Sequence, residues 1–208
     1  MILLVSGATR TLARYPEAGR LITPRNGNSI ELLAGSSRTW AADNDCFQRL
    51  DVDAYWRMIV RISKVDRERL MWVAVPDVVG DAQATVNRWV EWFPQLEYLD
   101  LPTAFVGQDG LEDIADQIPW DEMSCFFVGG STEWKLSEAS ERFCREAKTR
   151  GKLVHFGRVN TRCRIRDVLM MVPMVDSIDG TTYSRWPDKY LPLGLGWIRQ
   201  AKQQACLF

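Results

Sequence analysis

Val175-Asp176-Ser177-Ile178-Asp179-Gly180 reads as a short buried strand ending on a carboxylate, and the polar stretch Thr181-Thr182-Tyr183-Ser184-Arg185 follows at once. A strand, then glycine or a polar turn, then helix-forming sequence is the unit of a parallel α/β fold, which gathers its chemistry at the C-terminal strand ends. Asp179 is therefore the first candidate for a functional side chain. Asp-Gly is also a common turn dipeptide, so on its own the pair reads first as a plain strand exit. The other strand ends have to decide.

Working outward, the same unit recurs. Leu153-Val154-His155-Phe156 meets Gly157-Arg158-Val159-Asn160 ahead of a helix over residues 164–171. Cys125-Phe126-Phe127-Val128 meets Gly129-Gly130-Ser131-Thr132, with a helix from about Ser137, and Thr103-Ala104-Phe105-Val106 meets Gly107-Gln108-Asp109-Gly110 ahead of a short helix over 111–118. Met71-Trp72-Val73-Ala74-Val75 closes on Pro76-Asp77; Asp81 then leads a helix with Val86, Trp89, Val90 and Phe93 inward, stopped by Pro94. Thr39-Trp40-Ala41-Ala42 runs into Asp43, and Asp51 or Asp53 caps a helix carrying Tyr55, Ile59 and Ile62 at helical spacing. Ile2-Leu3-Leu4-Val5 reads as the first strand, residues 29–34 as another, residues 19–28 as loop and residues 195–205 as a closing helix. The expectation is an α/β chain with one domain over 1–208, a compact or incomplete (β/α)8 TIM-like barrel, with a doubly wound open sheet as the alternative.

Composition narrows the classes. A chain of 208 residues, 46% hydrophobic and 25% charged, supports one sizeable core. No apolar run reaches membrane-spanning length, and the apolar start breaks at Ser6-Gly7 with no basic flank, so the expectation is a cytoplasmic protein without a membrane partner. Five scattered cysteines without a Cys-x-x-Cys pair point to reduced thiols, and a single histidine, His155, makes a conventional zinc site hard to assemble. His155 itself reads as core or rim filler. A net charge of −1 gives no global pull on nucleic acid and leaves a local basic face open.

On one barrel rim, Asp43 with Phe47 and Gln48, then Asp77, Gln108, Gly129 with Gly130, residues 155–157 including Gly157, and Asp179 would converge. Each has an ordinary reading as a cap, a turn or a tight connection. Together they suit a flat, hydrogen-bonding heterocycle. Aspartate accepts from ring N–H and exocyclic amine donors, Gln108 can donate to a ring carbonyl, glycine lets the backbone approach an edge, and Phe47 can stack on a face. A further carboxylate, Asp179, beside the sugar can attack the anomeric carbon as retaining glycosidases do. Asp176, three residues earlier, takes the opposite face and reads as structural. Arg158 and Arg162, with Arg164 and Arg166, read either as phosphate contacts or as solvated helix charge.

These residues resemble the guanine transglycosylase family, which exchanges guanine in tRNA for a 7-deazaguanine base, together with its phage and bacterial relatives acting on DNA. Ala42-Asp43-Asn44-Asp45-Cys46-Phe47-Gln48 is similar to the family's T-D-S-G-G-F-Q loop, and Val75-Pro76-Asp77 to the segment with its second base-recognising aspartate. Val106-Gly107-Gln108-Asp109-Gly110 resembles V-Q-G-G, Val128-Gly129-Gly130 resembles G-G-L, and residues 175–185 match I-D-M-F-D-C-V-M-P-T-R in spacing. The resemblance spans residues 40–185 in order. It implies Asp179 as nucleophile, Asp43 for proton transfer, Phe47 for stacking, Asp77 for the base edge and Arg185 facing phosphate. It departs at Asp45-Cys46, where the family has Gly-Gly, at Tyr183, where it has proline, and in lacking the Cys-x-Cys-x-x-Cys zinc subdomain. With the short chain, that last departure turns the expected polymer from tRNA to DNA.

The expected function is thus exchange of guanine in a polynucleotide for a 7-deazaguanine, with no cofactor or metal. Expected partners are DNA, or tRNA in the alternative, and the free guanine or 7-deazaguanine base; a homodimer or a partner subunit remains open. The rivals are a tRNA enzyme that needs a partner, an N-glycosidase, and a nucleobase-binding module without chemistry.

Overall fold

The computed structural model describes residues 1–25, 30, 37–47 and 49–205. Eight parallel strands follow one another around a closed barrel: β1 (Ile2–Ser6), β2 (Gly19–Ile22), β3 (Trp40–Ala42), β4 (Leu70–Ala74), β5 (Thr103–Gly107), β6 (Cys125–Val128), β7 (Leu153–Phe156) and β8 (Ser177–Asp179). β8 pairs with β7 through His155 opposite Ser177 and with β1 through Leu4 opposite Asp179, so the ring is complete rather than interrupted. The helices are α1 (Thr9–Leu12), α2 (Val52–Ile62), α3 (Ala82–Tyr98), α4 (Thr132–Lys135), α5 (Glu138–Thr149), α6 (Arg162–Met171), α7 (Thr181–Arg185) and α8 (Pro187–Ala205), with a 3-10 segment over Leu111–Gln117.

Period-two alternation divides the core in two. One set of side chains fills the barrel, including Leu4, Leu21, Trp72, Val106 and Phe127. The other faces the helical layer, where Tyr55, Met58, Ile59 and Ile62 of α2 and Trp89, Trp92, Phe93 and Leu96 of α3 pack against Val5, Trp40, Val73 and Phe105. Helix starts follow capping chemistry. Asp51, Asp81, Ser131, Ser137 and Thr161 each accept the N–H three residues on, satisfying an otherwise orphaned donor.

Four expectations are corrected. Residues 19–22 form β2 instead of loop. Gly19 obscures the strand, and it is needed because a Cβ there would lie 2.5 Å from Leu4 Cδ2 inside the barrel. Pro94 does not end α3; the carbonyl that loses its partner belongs to Val90, which lies 69% exposed on the outer face of the helix instead of inward with Val86, Trp89 and Phe93. The closing helix α8 begins at Pro187, a first-turn position where proline's missing N–H costs nothing. Val175 and Asp176 precede β8, and Asp176 takes its structural part by accepting from Lys148 Nζ (2.8 Å) and Val154 N (2.7 Å). The strand expected over 29–34 lies outside the described residues except for Ile30.

Candidate functional site

Strand parity builds the site. Side chains two apart share a face, so the residue two beyond an interior side chain reaches the C-terminal rim: Asp43 after Ala41, Gln108 after Val106, Gly129 after Phe127, Gly157 after His155 and Asp179 after Ser177. Together with Asp77, from the loop after β4, these residues line one cavity of about 400 Å³. That lies within the usual range for sites that take small organic ligands. In a ring of eight, β8 stands opposite β4, so Asp179 and Asp77 approach the cavity from facing sides, with Asp43 just past the end of β3 between them.

The acidic side is arranged so that one carboxyl stays protonated. Burial, then the like charges of Asp179 and Asp77, push the Asp43 carboxyl up to about 8. Asp77 is also raised by burial, although Asn44 opposes this by donating to Oδ1 at 2.8 Å. Gln108 Nε2 donates to Asp77 Oδ2 at 2.6 Å, while Gln108 Oε1 accepts from Gly80 N at 2.9 Å. Both ends of the Gln108 amide are thus engaged within the protein, so Gln108 holds Asp77 in place with one Nε2–H while the amide nitrogen's second hydrogen is not used in that bond. Asn44 does the same from the other side, bridging Val75 O and Asp77. The thiol of Cys46 is pushed up to about 12 by burial, which leaves it un-ionised beside these acids.

Across the cavity, Asp179 is 9% exposed and held at both oxygens: Oδ2 lies 3.0 Å from His155 Nε2, and Oδ1 accepts from Arg158 N at 3.2 Å. Lys135, which also lines the cavity, donates to Gly157 O at 2.9 Å; burial pulls its ammonium down to about 8 against the attraction of Asp179. Gly157 is required by packing, since a Cβ would meet Phe127 Cε2 at 2.6 Å. Gly129 leaves room for Gln108 Nε2, which a Cβ would meet at 2.7 Å, and Gly130 sits at φ 68°, so the tight-connection reading of this pair holds too.

At the mouth, the ring of Phe47 is 57% exposed, and the Arg158 guanidinium lies 3.7 Å from its centroid. A flat cation therefore covers one face of the ring, from a residue held in the left-handed region with φ 63°. Arg185 lines the cavity, next to Ser184, whose hydroxyl lies 2.8 Å from that of Ser6 on β1. Arg162 is exposed at the start of α6 and does not line the cavity; Arg164 is the residue that reaches back, to Thr132 Oγ1 and Arg158 O. Gln48 lies outside the described residues. The sequence reading takes His155 as core or rim filler and passes over Lys135. For His155 the signal was its parity with Gly157, while Lys135, on a four-residue helix, carried none.

Fold and rim define a (β/α)8 barrel with an acid-lined cavity at the C-terminal strand ends. Among solved structures the chain is similar to a Mesorhizobium loti protein crystallised as a candidate dehydratase, with 14% identity, TM-score 0.55 and 86% of this chain covered. It is also similar to an enolase protein from the environmental genome shotgun sequencing of the Sargasso Sea, with 10% identity, TM-score 0.53 and 86% covered. The chain spans about half of each, 54% of their length, and at these identities the likeness concerns the fold. No protein-family model and no curated protein sequence matches the chain. Among the described residues no cluster of His, Cys, Asp and Glu is arranged to hold a metal ion, and no helix is long and apolar enough to cross a membrane.

Proposed function

We propose that the chain is a transglycosylase that exchanges guanine in a polynucleotide, DNA in the first instance, for a 7-deazaguanine base through a covalent Asp179 intermediate. The observation that carries this reading is the meeting of Asp43, Asp77 and Asp179 in one cavity, with Asp43 raised to about 8. Three carboxylates gathered in so small a space repel one another and cost stability, a pattern associated with functional sites. Base exchange gives each a separate task. The resemblance of residues 40–185 to the guanine transglycosylases supports the same assignment.

The base lies across the cavity, its donor edge toward Asp77 and its glycosidic bond toward Asp179. To get there, the nucleotide leaves the stack, as enzymes acting on a base require. An oxygen of Asp179 attacks C1′, the C1′–N9 bond breaks with its electron pair going to the base, and the protonated Asp43 supplies the proton that makes the base a neutral leaving group. The entering base gives its N9 proton to the Asp43 carboxylate, N9 attacks C1′, and Asp179 departs as a carboxylate. The proton lent in the first half is recovered in the second, so the cycle needs no cofactor. Arg158 and Arg185 line the cavity and are assigned to the flanking phosphates.

Incubation with labelled guanine and either duplex DNA, single-stranded DNA or tRNA tests the reading. Label entering DNA is the expected result, and label entering tRNA alone would transfer the proposal to that polymer. Abasic sites without incorporation would replace exchange by hydrolysis. Guanine binding with neither incorporation nor base loss would leave a binding module and end the transglycosylase reading.

A further inference from the structure

His155 takes no part in the exchange just described, yet it is wholly buried with both ring nitrogens partnered. Nδ1 lies 2.8 Å from Ser177 Oγ, and Nε2 lies 3.0 Å from Asp179 Oδ2. Trp72 and Phe127 enclose the ring, with centroids 4.6 and 4.4 Å from its own. Serine, histidine and aspartate in a hydrogen-bonded row have the composition of a hydrolytic triad, in which the serine would attack. Burial excludes that direction here. Ser177 is 0% exposed and does not line the cavity, whereas Asp179 does. Substrate meets the carboxylate, and the hydroxyl is the anchored end.

Proton bookkeeping follows from the acceptor. A carboxylate can only accept, so Nε2 carries the proton. Burial between two aromatic rings lowers the imidazole pKa from its ordinary value against the pull of Asp179, which keeps the ring neutral near pH 7. Nδ1 is then bare and accepts from the Ser177 hydroxyl. The carboxylate thus sets the tautomer, and the hydroxyl, able to donate or accept, follows it and anchors the far side of the ring.

We infer that Ser177 and His155 are a positioning pair: through the Nε2–H bond, and together with the Arg158 backbone N–H on the other oxygen, they fix the orientation of the Asp179 carboxylate toward the anomeric carbon. Without them the carboxylate, at the last residue of a three-residue strand, could turn about its terminal bond, and orientation of a reacting group accounts for a large part of rate. A neutral donor also suits a group that must attack and later leave. It stabilises the departing carboxylate without handing over a proton that would end its nucleophilicity. The reaction assigned to Asp179 rests on the transglycosylase reading; the geometry of the pair does not.

The test compares His155→Phe, which keeps a ring between Trp72 and Phe127 but removes both nitrogens, with His155→Gln, which keeps an N–H donor. For variants whose thermal unfolding shows a folded protein, we expect His155→Phe to lower kcat for exchange about 100-fold with KM for the polynucleotide changed less than about threefold. His155→Gln should regain at least about tenfold of that loss, and Ser177→Ala should fall between wild type and His155→Phe. Equal kcat losses in the Phe and Gln variants, a loss confined to KM, or a kcat for His155→Phe within about threefold of wild type would each overturn the inference. A two-bond 1H–15N spectrum of the wild-type protein checks the pair without any assay. It should show Nε2 protonated and Nδ1 bare, and the opposite tautomer would overturn the arrangement even if no exchange activity were found. Wild type that exchanges nothing while showing the expected tautomer would count against the transglycosylase reading and leave the positioning of Asp179 standing.

Discussion

Replacing Asp179 by alanine is expected to lower the rate of base exchange by about 10⁴-fold or more while the protein stays folded. The magnitude is that of removing a covalent nucleophile from a site whose other parts remain. Folding should survive because the side chain sits at the cavity edge, where water can replace the carboxylate as acceptor for His155 Nε2–H and Arg158 N–H. The substitution also removes the larger of the like-charge effects acting on Asp43, so the Asp43 carboxyl should titrate below its wild-type value of about 8. Exchange kinetics with thermal unfolding in parallel measure this, and activity within tenfold of wild type would remove Asp179 from the chemistry.

The second large effect separates rate from stability. Asp43→Asn removes the proton donor and should slow exchange about 10²- to 10⁴-fold. It should also make the protein more stable above neutral pH. Between the ordinary aspartate range and about 8, folded Asp43 holds a proton that the unfolded chain has released, so wild-type stability falls as pH rises through that window. Asparagine cannot ionise, and the slope it removes is worth about 1–3 kcal/mol at pH 8, discounted from the full shift because Asp43 retains some contact with solvent, and close to nothing at pH 4. Denaturant titrations of both proteins at the two pH values read this directly. The same proton predicts that wild-type exchange declines as pH rises past about 8. A variant equally impaired in rate and in stability would return Asp43 to the role of a turn residue.

The barrel was legible because a strand, a glycine or acidic turn and a helix recur, and that local pattern has few packed solutions. β2 escaped because Gly19, chosen by the approach of Leu4 and Ile2 inside the barrel, has the look of loop sequence. Asp43, Asp77 and Asp179 could be found because rim residues stand at strand ends, where sequence position alone locates them. Partners contributed by neighbouring strands are another matter. Whether the Gln108 amide faces a ligand or Asp77, and whether His155 fills space or holds Asp179, depends on which strand lies alongside and in what register. Arg158 shows the same limit. Its charge suggested phosphate, and only the folded chain reveals that it also stacks on Phe47 and donates its backbone N–H to Asp179.

The proposed exchange passes through a covalent bond between Asp179 and the sugar. Acid quenching of wild-type protein with excess guanine-containing oligonucleotide, followed by proteolysis and mass spectrometry, should find the oligonucleotide, short of one guanine, on the peptide containing Asp179. Guanine exchange proceeding with the adduct on another residue, or with Asp179 recovered unmodified under conditions that trap the intermediate, would contradict it.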